Sequence, residues 1–369
     1  MKIPASLLDI RIFLFLAFIL ILLTNNYFSL EDSIYFGARD GEDYFILADK
    51  FEKIPYETLD YHKAWRFVLP TFIGIIAKIF NSDSYFVFRL FTIIACLSSI
   101  SLFYLILKKL KINDFHIFFL TSFLVFNPYL FRYFLALPTM INDIVFINSG
   151  LLILLGIIDN KKSCFYFGFL LALLTRQNSI FFLLSLIISK LIFKKRSLIK
   201  LKDIIYTTIL TIILFSINNE FTNNYTIYND TYSLINRFHL FTFDFTLLDF
   251  IKYNLFPLIV LLPLLFYLIC EKKKFTFHKI KLELFFIILL MAIFVTSIAY
   301  VGGPIITGRN LIRLINLVYP LIILVTIMPF ELKKNKNLSL KFLFYTLCFF
   351  IWSLHPTYSS IKLFTILKF

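Results

Sequence analysis

The stretch RFVLPTFIGIIAKIF, residues 66–80, decides how this chain is threaded. It is apolar enough to be taken for a membrane crossing, yet it is short and carries Pro70, Gly74 and Lys78. A hydrocarbon core of about 30 Å calls for roughly 20 helical residues. A first span over 7–23 leaves the N-terminus cytoplasmic and the following residues outside. If 66–80 then crossed, the next span would deliver KKLK (108–111) to the outer face, against the rule that such basic clusters stay cytoplasmic. The stretch is therefore read as an interfacial or re-entrant helix, and the first external segment runs over 24–85.

The rest of the chain follows the same parity. Of its 369 residues 60% are hydrophobic, above the ~45–50% usual in globular domains. Apolar runs near 86–107, 115–131, 141–158, 163–175, 179–193, 203–217, 251–270, 282–300, 311–329 and 339–354 read as further spans. The expected fold is an all-α polytopic membrane protein of about 11 transmembrane helices, with every basic cluster inside. Those clusters are KKLK, NKK (160–162), KKRSLIKLK (194–202), EKKK (271–274) and ELKKNK (331–336). The net charge of +15 then records cytoplasmic loops and does not indicate a nucleic-acid partner. One integral membrane domain, 1–369, is expected, with external loops at 24–85 and 218–250 and no internal repeat. LTNNYFSLEDS (23–33) offers no small-residue cleavage site, so the first span reads as a retained anchor. The N-x-T matches at Asn224 and Asn229 are expected by chance in an Asn-rich chain. Cys96, Cys164, Cys270 and Cys348 are widely spaced and read as packing residues. The five histidines form no H-x-x-x-H pair, so no zinc site is expected, and no other residues call for a cofactor.

The acids of the first external segment stand out. FGARDGEDYFILADK (36–50) holds Asp40, Glu42, Asp43 and Asp49. From Asp40 the period changes, and Tyr44, Leu47, Ala48 and Phe51 fall on one face of a short helix along the outer membrane surface. Acids at a helix start also suit capping and the helix dipole, which is the plain alternative to a functional role. DYHKAWRFVLP (60–70) brings Tyr61, His62 and Arg66 to the same region. A carboxylate beside a low-dielectric region, with cations nearby, suits a general base acting on a hydroxyl. Glu42 points elsewhere on such a helix and is expected to be solvated.

RDGEDYFILADKF resembles the D-x-x-x-Y-x-x-x-A opening of the first external loop in the C-type (GT-C) membrane glycosyltransferases, the bacterial mannosyl- and arabinosyltransferase-like enzymes among them. WRFVLPTFIGIIAKIF is similar to that loop's second juxtamembrane helix, and YFVFRLFTIIACLSSISLFYLILKKL to the second span with its early Arg. GFLLALLTRQNSIFFLL resembles the segment ending in a Thr-Arg turn, and GRNLIRLINLVYPLI the late Gly-Arg…Pro segment. The order covers about 1–330. The resemblance implies an inverting transfer of a hexose or pentose from a polyprenyl-phosphate-linked donor to a glycan, lipid or protein acceptor. The reaction would take place on the extracytoplasmic face of a bacterial inner or plasma membrane. Asp40 takes the catalytic aspartate's place, with Asp43 as the other candidate. Gly41 follows Asp40 where the family often has a D-E pair, a departure that bears on metal-dependent variants; the sequence does not support a divalent metal.

Breaking a sugar–phosphate bond leaves a lipid phosphate whose growing charge needs cations. Arg66, Arg176 and Arg309 lie on or near the outer side and can grip phosphate oxygens, with Tyr44, Tyr61 and His62 as further contacts. Arg176 lies between two short apolar runs, where a charge is costly enough to point to function. Arg89, Arg132 and Arg313 are read as snorkelling to the headgroups. Two other readings stay open: a flippase or transporter of lipid-linked glycans, and a glycan polymerase or ligase.

Overall fold

The computed structural model describes residues 10–28, 39–53, 65–194, 197–223, 260–275, 279–301, 311–333 and 339–354. The described chain is mostly helical. Three helices are long and apolar enough to cross a membrane: Ser84–Lys109, Pro138–Ile158 and Leu201–Asn218. Shorter apolar helices accompany them, including Ile10–Leu23, Asp114–Val125, Lys162–Thr175 and Gln177–Phe193. This is an all-α membrane-type architecture with one addition not expected from sequence. The basic segments Lys272–Phe275 and Phe330–Leu332 pair as an antiparallel ribbon, with Lys273 and Lys274 reaching Glu331 at 3.5 and 3.4 Å.

Helix ends follow local chemistry. Asp83 caps Ser84–Lys109 by accepting from the Phe86 amide at 3.0 Å, and Lys108 and Lys109 occupy the last turn, where cations suit the dipole. Asn113 caps Asp114–Val125 in the same way through the His116 amide. That helix is buried all round and forms the centre of the bundle. The expected span 115–131 is corrected, because the helix stops at Val125, just before Asn127-Pro128. A short helix, Phe131–Ala136, and a 3₁₀ turn, Pro138–Met140, follow before Ile141–Ile158 begins. The expected span 311–329 is likewise two helices, Leu311–Leu317 and Tyr319–Ile327, with Pro320 opening the second.

Residues 66–80 form a helix over Val68–Ile79. Its twelve residues reach about 18 Å, too short for the hydrocarbon core. It packs on Arg39–Asp49 at Gly74, where a Cβ would fall inside the Ala48 carbonyl. Tyr44, Leu47 and Ala48 are consequently buried against protein, so the expectation that this face lies on the bilayer is corrected. Phe51 is half-buried beyond the helix end.

Ser84–Lys109 and Ile141–Ile158 run in the same direction, and the charges of the bundle sort by end. Lys109 pairs with Asp159 at 2.9 Å and Lys162 with Asp203 at 2.6 Å, at one end of Ile141–Ile158. Asp143 sits at the other end, where Lys162–Thr175 returns to finish at Arg176. Gly156 and Gly168 let these two helices close up: a Cβ on Gly156 would meet the Phe165 nitrogen at 2.6 Å, and one on Gly168 the Ile153 nitrogen at 2.9 Å.

Candidate functional site

Five charged side chains converge where these helix ends meet: Asp40, Arg66, Asp143, Arg176 and Arg313. Asp40 lies in the first turn of Arg39–Asp49. The next residue must be small, because a Cβ at Gly41 would run into the Thr139 hydroxyl. Gly41 therefore brings the first turn down onto the Pro138–Met140 turn, and a D-E pair would not fit there.

Arg313 joins the two acids. Its Nη1 donates to Asp40 Oδ2 at 2.8 Å, and its Nε and Nη2 donate to Asp143 Oδ2 and Oδ1 at 2.5 and 3.2 Å. The expectation that Arg313 snorkels is corrected: it is a strut, from late in the chain, between two carboxylates of its first half. Asp143, which no sequence motif singles out, is fully buried at its centre. Its signal is an acid at the start of an apolar run, INDIVFINSG, a costly place unless paired.

Arg66 is buried beside them. It donates to the Tyr44 hydroxyl at 2.8 Å and to Gln177 Oε1 at 3.4 Å, and its Nη1 lies 3.8 Å from Asp40 Oδ2. Burial works most strongly against its charge, but Tyr44 and Asp40 more than offset this and hold its pKa above the ordinary value. Burial likewise pushes the Tyr44 phenol up, so Tyr44 is a neutral hydroxyl. It orients Arg66 from within the core.

Arg176 differs from the other two. It is buried and lies 3.5 Å from Asp143 Oδ1 through Nε, yet its Nε and Nη1 make no hydrogen bond among the described residues. Arg66 Nε, Asn142 Oδ1 and Thr139 Oγ1 are also buried without a partner there. Buried guanidinium donors left open in this way are the kind of group an anion would satisfy.

The acids differ in access. The Asp40 side chain is 25% exposed and that of Asp143 is not exposed at all. Asp43 and Glu42 are half-buried on the same helix, so Glu42 is less solvated than expected. Tyr61, His62 and Arg309 lie outside the described residues, as does the 224–250 portion of the expected second external loop.

The remaining arginines are not simply snorkelling. Arg89 is stacked between the Tyr27 and Tyr85 rings at 5.1 and 5.0 Å. Arg132 is fully buried, donating to the Thr24 carbonyl and hydroxyl at 2.8 and 2.9 Å and to the Ser353 hydroxyl at 3.1 Å.

No protein-family model, curated protein or solved structure matches this chain. The function must therefore be read from the chemistry of the site itself.

Proposed function

We propose that this chain transfers a sugar from a polyprenyl-phosphate-linked donor to an acceptor hydroxyl, with inversion, at the extracytoplasmic face of the membrane. The observation that supports this is one cluster holding both a partly exposed carboxylate, Asp40, and a buried guanidinium with open donors, Arg176. In the reaction the acceptor oxygen attacks the anomeric carbon and its proton passes to Asp40. The bond from the anomeric carbon to the phosphate oxygen breaks, and the electron pair leaves with the lipid phosphate. Arg176 meets the charge that grows on that phosphate. Asp40 must first loosen from Arg313, because an ion-paired carboxylate is a poor base. An entering phosphate that draws on the neighbouring guanidiniums provides that release. The full threading, with about 11 spans and the cluster outside, belongs to the same proposal.

The test is transfer by the purified protein in nanodiscs, offered a panel of polyprenyl-phosphate-linked sugars. Asp40→Asn should fold, bind donor and lose about 10²- to 10⁴-fold in transfer, the range for a general base. Asp43→Asn should lose less. An Asp40→Asn protein working at the native rate would overturn the assignment.

A second reading, transport of a lipid-linked glycan, draws on the helix broken before Tyr319 and on charges buried among apolar helices. Liposomes distinguish the two. A transporter moves labelled donor between leaflets with its sugar–phosphate bond intact, whereas a transferase consumes it.

A further inference from the structure

We infer that Asp143 is a positioning residue that aims the Arg176 guanidinium at the donor's phosphate; this rests on the sugar-transfer reading above. Asp143 touches neither substrate nor leaving group in this scheme, and it acts through its neighbour. Its carboxylate is fully buried and has arginine on both oxygens: Arg313 on Oδ1 and Oδ2, and Arg176 Nε at 3.5 Å from Oδ1. The two guanidiniums are unequal partners. Each nitrogen of Arg313 already donates to a carboxylate, since Nε and Nη2 serve Asp143 and Nη1 serves Asp40. Arg313 therefore offers a ligand less than Arg176 does, since only its Nη1 contact with Asp40 can be exchanged without unpairing Asp143.

Arg176 is held by attraction at a distance, beyond good hydrogen-bond length, with Nε and Nη1 unbonded among the described residues. Its backbone stands at the extended end of Lys162–Thr175, before the Gln177–Ser179 turn, so the main chain alone does not fix where the guanidinium points. Two buried like charges would also push Arg176 away from Arg313 without a carboxylate between them. Asp143 removes that repulsion and leaves the Arg176 donors open. A residue that only neutralised charge would have no reason to hold one arginine bidentately and leave the other unfilled.

The test uses farnesyl phosphate as probe, with binding measured on the full chain in nanodiscs independently of turnover. The native protein should bind it. Arg176→Gln and Asp143→Asn should each weaken binding about tenfold or more, as expected for a lost charge-assisted hydrogen bond. The double variant should be no weaker than Arg176→Gln alone, because Asp143 acts through Arg176. Multiplying losses would overturn the inference, and so would native affinity in Asp143→Asn; both leave the sugar-transfer reading standing. No binding by the native protein overturns both. Should Asp143→Asn not fold, Asp143→Glu keeps the charge and displaces it by one methylene. It should bind farnesyl phosphate more weakly and lose kcat/KM with it, and native affinity would overturn the proposal.

Discussion

Asp143 and Arg313 meet side-on, through two donors of one guanidinium and both oxygens of one carboxylate, at 2.5 and 3.2 Å. The third nitrogen of Arg313 continues to Asp40, so one side chain from late in the chain holds two early acids in fixed relation. This geometry makes Arg313 structural before it is anything else.

Arg313→Gln should therefore destabilise strongly, because it strands a buried carboxylate. About 3–5 kcal/mol is typical for breaking a buried pair from one side. Arg176→Gln should be close to neutral in stability, since it removes donors that have no hydrogen bond among the described residues. Thermal unfolding of both variants in one detergent decides the matter. Equal midpoints would show that the two arginines have the same role.

Gly41→Glu would restore the acidic pair seen in the resembled family. It should nonetheless lower activity, because its side chain must displace Thr139 and lift Asp40 off Arg313. Overpacking of this kind costs about 1–3 kcal/mol. Gly41→Ala already brings the first offending atom and should show part of the same loss. An active, fully stable Gly41→Glu protein would contradict this packing.

Glu283 ties the basic stretch near residue 200 to the bundle. Its carboxylate accepts from the Ser197 hydroxyl at 2.6 Å and the Leu198 amide at 2.7 Å. Glu283→Gln should weaken that anchor, and limited trypsin digestion should then cut at Lys194, Lys200 or Lys202 several-fold faster. Unchanged digestion would mean the segment is held by other contacts.

The threading itself is open to labelling. In a protein stripped of native cysteines, Lys50→Cys and Lys202→Cys place one exposed thiol near each end of the bundle. An impermeant reagent applied to intact cells should modify the first and reach the second only after permeabilisation. Labelling of both from outside would refute the parity.

Much of this architecture is legible in the sequence alone. Apolar runs betray membrane helices because length and composition suffice, and the helix expected within 66–80 forms over Val68–Ile79. Asp40 is legible because acids are rare in so apolar a chain. Asp143 is not, because a single acid inside a run reads as noise until the arginine paired with it is known, and Arg313 follows 170 residues later. The breaks near Pro128 and before Tyr319 escape notice for a related reason. Hydropathy averages over a window and is blind to a single interrupted hydrogen-bond ladder. The ribbon of Lys272–Phe275 is hidden by its charges, since strand pairing there depends on what lies opposite.

Arg132 has a consequence in time. Its donors reach Thr24, made early, and Ser353, which is joined to the chain 221 residues later. A ribosome delivering this protein to the membrane thus leaves one buried guanidinium short of a partner for most of synthesis. Until the last described helix docks, this guanidinium is held from Thr24 alone, and its contact with Ser353 is added last.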